Sequence, residues 1–521
     1  MMLKKWSLGR LFHICWFAFF LLMCTYVMRS KYIEYLTGCF ILGLGLFLLL
    51  VTAAATFYDK INGIGQKNIV YIWMCAAFAV GMLVWGRAML IQPFNDSGTI
   101  WFSVADIVET GTVSKTMDKY TSCGWSTHTS NHDYFLIYPN SRFMVESLLP
   151  FAYFLRNVLG IDLRSDAAYL CCMVLNVLFI LLGILFVSLA ARRERGNVAA
   201  VLLLALSMVS VAYYLNAYKL YSDTMSMPFI GLTLWLMAEA NHTSKKVYGL
   251  RFFAGISAAA GILLKGSVWV LVIASIIYLS LRERCWKEKG KEILCLLAGV
   301  VLVTQAWSIK SNNLSWLNTK ESDRYELPAM HWVMMSAHGD GGYHQSDLDY
   351  SLSFETLDER KEAIADRLVQ RIKDQGTVRY LKTVLKKISL TFYDGTYCQK
   401  SHLRKFDGQI IGAIVNPDSG MFLIIKIVSL SILSAVYLAI LASGLINAKR
   451  GTAFELLLNV CMFGLVLFFA IWETKSRYLL NYTPMFLLIA SLAIDDLAVY
   501  VKDQRYRLKE KIKQITDTVK Q

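Results

Sequence analysis

The chain has 521 residues, 56% of them hydrophobic and only 17% charged, with a mean hydropathy of +0.45. Soluble domains run at about 45–50% apolar and about 25% charged, which excludes an ordinary soluble globular chain. The formal net charge of +15 does not read as nucleic-acid binding. Lys and Arg fall in short stretches between hydrophobic runs, the pattern of membrane topology, and no soluble segment carries a basic stripe interleaved with aromatics.

The apolar residues gather in blocks of about 20, the length that spans a ~30 Å hydrocarbon core as a helix. Runs such as CFILGLGLFLLLVTAAATF are unbroken, so the alternation of a membrane barrel is excluded. The amino terminus, MMLKKWSLGR before an apolar run, has no small-x-small cleavage signal and reads as a retained first helix. The pattern predicts an all-α polytopic membrane protein with about 12 transmembrane helices. They fall near 11–28, 38–57, 69–91, 167–191, 198–216, 225–240, 247–264, 267–281, 293–309, 421–444, 453–472 and 479–500.

Placing the amino terminus inside puts most Lys and Arg of the short links on the cytoplasmic side. The basic tail at 501–521 then lies inside too. The apolar stretch 252–281 is interrupted only by Lys265-Gly266. Reading it as two short helices, with Lys265 at the outer surface, keeps the charge rule intact. Two long segments, about 92–166 and 310–420, fall outside. The expected organisation is two additional helices (1–68), a core with the first outer loop (69–309), the large outer segment (310–420), the last helices (421–500) and the tail.

The second outer segment holds two amphipathic helical patterns. Leu357, Ile364, Leu368 and Ile372 share one face of the first. Val378, Leu381, Leu385 and Ile388 share one face of the second, with Arg379, Lys382, Lys386 and Lys387 opposite. This composition suits either a helix on an anionic interface or a solvated face of an outer domain.

Chemistry-bearing residues cluster at the predicted outer surface. Asp96 follows the third span and precedes an amphipathic helix, where Asp is also a favoured cap. Asp223, in YKLYSDTMSMPF, enters the next span, where it or Ser222 could serve as a cap. Lys265 between apolar runs must snorkel or pair, and such a charge is a functional candidate. Glu473 and Arg477 are four apart, a spacing that suits a local ion pair on a helix. His128, His132 and Asp133 have metal-ligand spacing if helical, although THTSNHDY reads as loop. Cysteine lies mostly in apolar runs with no CxxC spacing. Cys123 and Cys398, one in each outer segment, are a candidate disulfide in an oxidising compartment.

In this order and topology the motifs resemble the GT-C superfamily of polyprenyl-phosphate-sugar glycosyltransferases, most of all the bacterial protein O-mannosyltransferase and aminoarabinose transferase (glycosyltransferase family 39-like) branch. The resemblance covers roughly 69–500. It rests on Asp96 in the first outer loop, YPNSRFMVESLLPFAYFLRNVLGIDLRSDAAYL leading into a span, and Asp223 in the next outer loop. Lys265-Gly266 in GILLKGSVWVLV follows, then Glu473, Arg477, Tyr478 and Pro484 in WETKSRYLLNYTP. MHWVMMSAHGDGGYHQSD is similar to Gram-positive members. One departure is that Tyr138-Pro139 runs on into Asn140-Ser141 rather than a second proline.

The resemblance implies an inverting transfer of sugar from a polyprenyl phosphate to an extracytoplasmic acceptor at the bacterial plasma membrane. Asp96 would be the base, Lys265, Arg477 and Tyr478 would face the donor phosphate, and Asp223 and Glu473 would orient these groups. A divalent cation (Mg or Mn) is an open expectation, with Asp96, Asp223, His128 and His132 as candidate ligands. Partners would be the lipid-linked sugar, membrane lipids and the acceptor, not nucleic acid. A glycolipid flippase and an envelope polysaccharide polymerase or ligase are the competing classes. The first would favour repeated halves, and no internal repeat is found.

Overall fold

A computed structural model describes residues 8–29, 36–114, 130–398, 400–451 and 453–520. Among them the regular structure is helical, without a strand. The main helices are α1 (Leu8–Arg29), α2 (Leu36–Thr56), α3 (Asn68–Ala88), α4 (Asn95–Thr110), α5 (Asp166–Arg195), α6 (Asn197–Val209) and α7 (Met227–Asn241). They continue with α8 (Val247–Leu264), α9 (Trp269–Leu281), α10 (Trp286–Ser311), α11 (Leu357–Phe392), α12 (Gly420–Arg450), α13 (Phe454–Ile471) and α14 (Thr483–Lys520). The chain is a polytopic membrane protein of the all-α class, as predicted.

Nine helices among the described residues are long and apolar enough to cross a membrane. The remaining predicted spans are shorter: α6 has 13 residues, α7 has 15 and α9 has 13. The reason is visible at each break. The run 198–216 is interrupted at Ser210, whose backbone is extended, and a separate short helix, Val211–Leu215, follows. The run 252–281 breaks at Lys265, also extended, which confirms two helices in place of one.

Helix α8 packs on α7 and α10, α7 on α5, and α2 on α12 and α14. Small residues permit these approaches. Side-chain carbon at Gly255 or Gly299 would run into the facing backbone of α10 or α8, and at Gly231 into the carbonyl of Gly183 on α5. Apolar tails of lipid give no hydrophobic drive between helices, so close backbone packing supplies the attraction instead.

Charges mark two opposite ends of the bundle. At one end Arg251 in the first turn of α8 donates to Glu292 at 2.9 Å, and Arg284 reaches the same carboxylate at 2.9 Å. Arg195 contacts Glu455, and Asp496 lies 3.3 Å from it. Lys265 stands at the far end of α8, about 20 Å along the helix from Arg251, and Glu473 stands just past the far end of α13.

The two amphipathic patterns form one helix, α11, bent at Gly376 (φ 67°, ψ 161°). The left-handed conformation there favours glycine. The apolar face of the second half is largely exposed, and one residue of its basic face is buried. Val378 (70%), Leu381 (54%) and Leu385 (38%) are exposed, whereas Lys387, expected on the opposite solvated face, is 1% exposed and Ile388 is buried. Lys387 donates to the Ala470 carbonyl at 3.0 Å, because α11 turns its carboxy-terminal half onto the end of α13.

Candidate active site

Asp96 reaches the site through a local backbone irregularity. Phe94 is extended, and Asn95 takes a left-handed φ of 53°, which Asn tolerates better than most residues. The chain then enters α4 with Asp96 in its first turn. The capping expectation is not realised: Phe94 is the cap position and makes no side-chain cap. Asp96 Oδ2 instead accepts from Tyr221 OH at 3.2 Å and from Arg477 Nη2 at 3.3 Å.

Asp223 behaves in the same way. It lies in the four-residue helix Ser222–Met225, which has no side-chain cap, and its Oδ1 takes the Lys265 ammonium. Both side chains are largely buried. Lys265 therefore does not snorkel freely; it is held by a carboxylate and by the face of Tyr478, 5.1 Å from the ring centre.

The spacing of Glu473 and Arg477 does not give an ion pair. Trp472 and Lys475 are extended and the 3-10 helix starts at Ser476, so residues four apart do not stack as on an α-helix. Arg477 turns to Asp96, and its guanidinium lies between the rings of Tyr221 (5.4 Å) and Tyr478 (5.5 Å). Glu473 accepts from Tyr478 OH at 2.8 and 3.1 Å and lies 3.8 Å from the Lys475 ammonium. Burial raises the Glu473 carboxyl above its usual range, against the pull of Lys475 and the Tyr478 hydroxyl. Burial likewise lowers Lys475, with Glu473 opposing it.

Asp96, Asp223, Lys265, Glu473, Arg477 and Tyr478 are thus joined in one network of contacts, from four distant stretches of chain. Sequence reasoning missed four further members. Tyr221 binds Asp96. Asp394 accepts from Ser476 Oγ at 2.7 Å and so fixes the residue beside Arg477. Lys219 and His402 meet at 3.5 Å (Nζ to Nδ1), and His402 Nε2 lies 3.0 Å from Asn95 Nδ2. Burial, reinforced by Arg477, pushes the Lys219 ammonium down to about 7. The only sequence signal was the density of Lys and Tyr in YKLYSD.

The glycine-rich stretch within residues 338–344 covers the network. Gly341 accepts from the Thr474 N–H at 2.9 Å, and the Tyr343 ring lies 5.2 Å from the Lys475 ammonium.

His132 lies in the short helix Asn131–Ile137, where a loop was expected. Asp133 closes a capping box with Ser130 and lies 3.4 Å from His132 Nδ1. His128 and Cys123 lie outside the described residues. Cys398 Sγ contacts the Leu215 carbonyl at 3.5 Å. Among the described residues no three His, Cys, Asp or Glu side chains are grouped to hold a metal ion. Asp96 and Asp223 each meet a basic side chain through one carboxylate oxygen.

The fold and network define a polytopic integral membrane protein with a cation–carboxylate site at one end of its helix bundle. A family model described as "Conserved hypothetical integral membrane protein" matches residues 166–498, and the chain belongs to that family. No curated protein matches it.

Among solved structures, the apo oligosaccharyltransferase of Archaeoglobus fulgidus is similar at TM-score 0.44 and 13% identity, over 93% of this chain and 53% of that one. The oligosaccharyltransferase AglB from Archaeoglobus fulgidus, in complex with an inhibitory peptide and a dolichol-phosphate, gives 0.41 and 12%, over 86% and 52%. ArnT from Cupriavidus metallidurans, bound to undecaprenyl phosphate, gives 0.36 and 13%, over 83% and 78%. The chain spans about half the length of the oligosaccharyltransferases.

Proposed function

We propose that this chain is a membrane glycosyltransferase of the GT-C type, moving a sugar from a polyprenyl-phosphate donor to an acceptor hydroxyl on the non-cytoplasmic face. The observation that carries the reading is the arrangement around Asp96. Both of its hydrogen bonds fall on Oδ2, which leaves Oδ1 to take a proton from the acceptor as it attacks the sugar. The sugar–phosphate bond then breaks, and negative charge develops on the departing phosphate. Arg477 and Lys265, fixed in advance by Asp96, Asp223 and the tyrosine rings, stabilise that charge without reorganising. Glu473 orients Tyr478 beneath them. The outer placement follows from the Lys and Arg of the short links, which put the opposite end of the bundle inside.

The test is transfer of labelled sugar from a polyprenyl phosphate by the purified chain in detergent. Asp96→Asn should abolish turnover while the protein still expresses and inserts into the membrane, with an unfolding temperature lowered no more than that of Asp223→Asn. Full activity in that variant would discard the assignment. A flippase would show no donor consumption in micelles, where there are no leaflets to cross.

A further inference from the structure

Helix α14 does not stop where the bundle stops. Arg450 and Arg195, the last residues of α12 and α5, meet Asp496 at 2.5 Å and 3.3 Å. Thr56, the last residue of α2, accepts from Arg505 Nη1 at 2.8 Å. Three spans therefore end level with residues 496–505, which marks the surface of a leaflet. Residues 506–518 run on beyond it as about 20 Å of helix.

This extension is sorted around its circumference. At 3.6 residues per turn, Leu508, Ile512 and Ile515 share one stripe, and they are 59%, 54% and 64% exposed. Arg505, Lys509 and Lys513 line one edge of the stripe, and Lys511 and Arg507 line the other. Asp503, Glu510 and Asp517 fall on the far side. Water around a free helix does not select such an order. An anionic lipid surface does: the stripe enters the acyl boundary, bases beside it reach the headgroups, and acids turn away. A second copy fits the stripe less well. Paired at a 3.5-residue spacing, the seam runs through 505, 508, 512 and 515, which sets Arg505 against its own copy between two basic edges.

We infer that residues 506–518 dock on an anionic lipid leaflet as an in-plane helix. The chain turns just past Arg505, so that Leu508, Ile512 and Ile515 face the acyl boundary and Lys509, Lys511 and Lys513 face anionic headgroups. A helix of this length is marginal in water; the leaflet covers the face that the bundle leaves open. The inference is independent of the transferase reading, since it concerns the end of the bundle opposite Asp96 and requires no turnover.

The experiment is hydrogen–deuterium exchange of the full-length protein in lipid nanodiscs that hold one copy each. The discs are made of phosphatidylcholine alone or of an equal mixture with phosphatidylglycerol. Amide exchange over 506–518 should be about tenfold or more slower in the anionic discs, the equivalent of one or two bases at an anionic surface. The slowing should shrink in high salt. Leu508→Ser combined with Ile512→Ser should remove it, and Lys509→Gln combined with Lys511→Gln should weaken it. Each variant is compared with itself in the two lipids, so a change in helix propensity cancels. Exchange over the helices of the bundle should not differ between variants. Equal exchange over 506–518 in both kinds of disc overturns the inference. Slowing that survives Leu508→Ser with Ile512→Ser also overturns it, because the stripe would then take no part. Slowing that appears only in discs holding two copies, whatever the lipid, assigns the stripe to a second copy and overturns it as well.

Discussion

Asp96 and Arg477 stand 381 positions apart in sequence and meet at 3.3 Å, one at the start of α4 and the other at the entrance to α14. Each holds the other in place, so they should act as a unit. Removing a preorganised charge-stabilising donor costs about 10²–10³ in rate. Arg477→Gln is expected to lose activity in that range, and the double variant with Asp96→Asn to lose no more than Asp96→Asn alone. A double-mutant cycle in kcat/KM checks this; additive losses would mean independent roles.

Lys265 and Asp223 are a buried pair, with side chains 13% and 8% exposed. Removing one partner strands the other charge in a poorly solvated place, at a cost on the order of 3 kcal/mol. Asp223→Asn should lower the unfolding temperature in detergent. Asp223→Asn combined with Lys265→Met should recover most of the stability but none of the activity. Differential scanning fluorimetry and the transfer assay separate the two effects.

Gly341 has a φ of 74°, and a side-chain carbon there would collide with the methylene chain of Lys387. Alanine at this position meets both a strained backbone and a buried neighbour, a penalty of about 1–3 kcal/mol. Gly341→Ala is expected to loosen the cover over Thr474 and Lys475 and to increase cleavage of residues 338–344 in limited proteolysis. The helices of the bundle should remain intact.

Asp347, in the segment 310–420, is fully buried. It accepts from Arg371 Nη1 at 3.0 Å, Arg371 Nη2 at 2.5 Å and His338 Nε2 at 2.9 Å. Burial alone would raise its carboxyl, but these hydrogen bonds and charges outweigh it and hold the group below its usual value. The stabilisation is fully present above the unfolded carboxylate value of about 4 and is lost as pH falls through the lower folded value. Loss of this contact should therefore speed proteolysis of residues 310–420 only below about pH 4, while the His331 and His344 imidazoles, held down by burial, add loosening of their own as pH falls below about 6.5. Asp347→Asn should be loosened already at neutral pH, with a flatter acid response. A wild-type segment that loosens between pH 8 and 6.5 would contradict this origin.

Hydrophobic run length alone carried the fold class. Apolar blocks of fixed length must become helices in lipid because no other element satisfies its backbone there, so α1, α2, α3, α5 and α13 lie where the sequence put them. The break at Lys265 was legible for the same reason: an ammonium flanked by glycine cannot sit in the middle of a span. Asp96, Asp223, Lys265, Glu473, Arg477 and Tyr478 were also legible as candidates, since each is polar at the edge of an apolar run. What remained hidden was who pairs with whom. The four-residue spacing of Glu473 and Arg477 pointed to a local pair, yet an extended backbone before Ser476 sent them to different partners. Lys387 read as solvated until α11 was folded onto α13. The roles of Tyr221, Lys219, His402 and Asp394 were not legible, because a hydrogen bond or ion pair depends on separations of a few ångströms between stretches that lie far apart in sequence. Periodicity fixes which side of a helix is apolar; only the packing of one helix against another fixes which charge meets which.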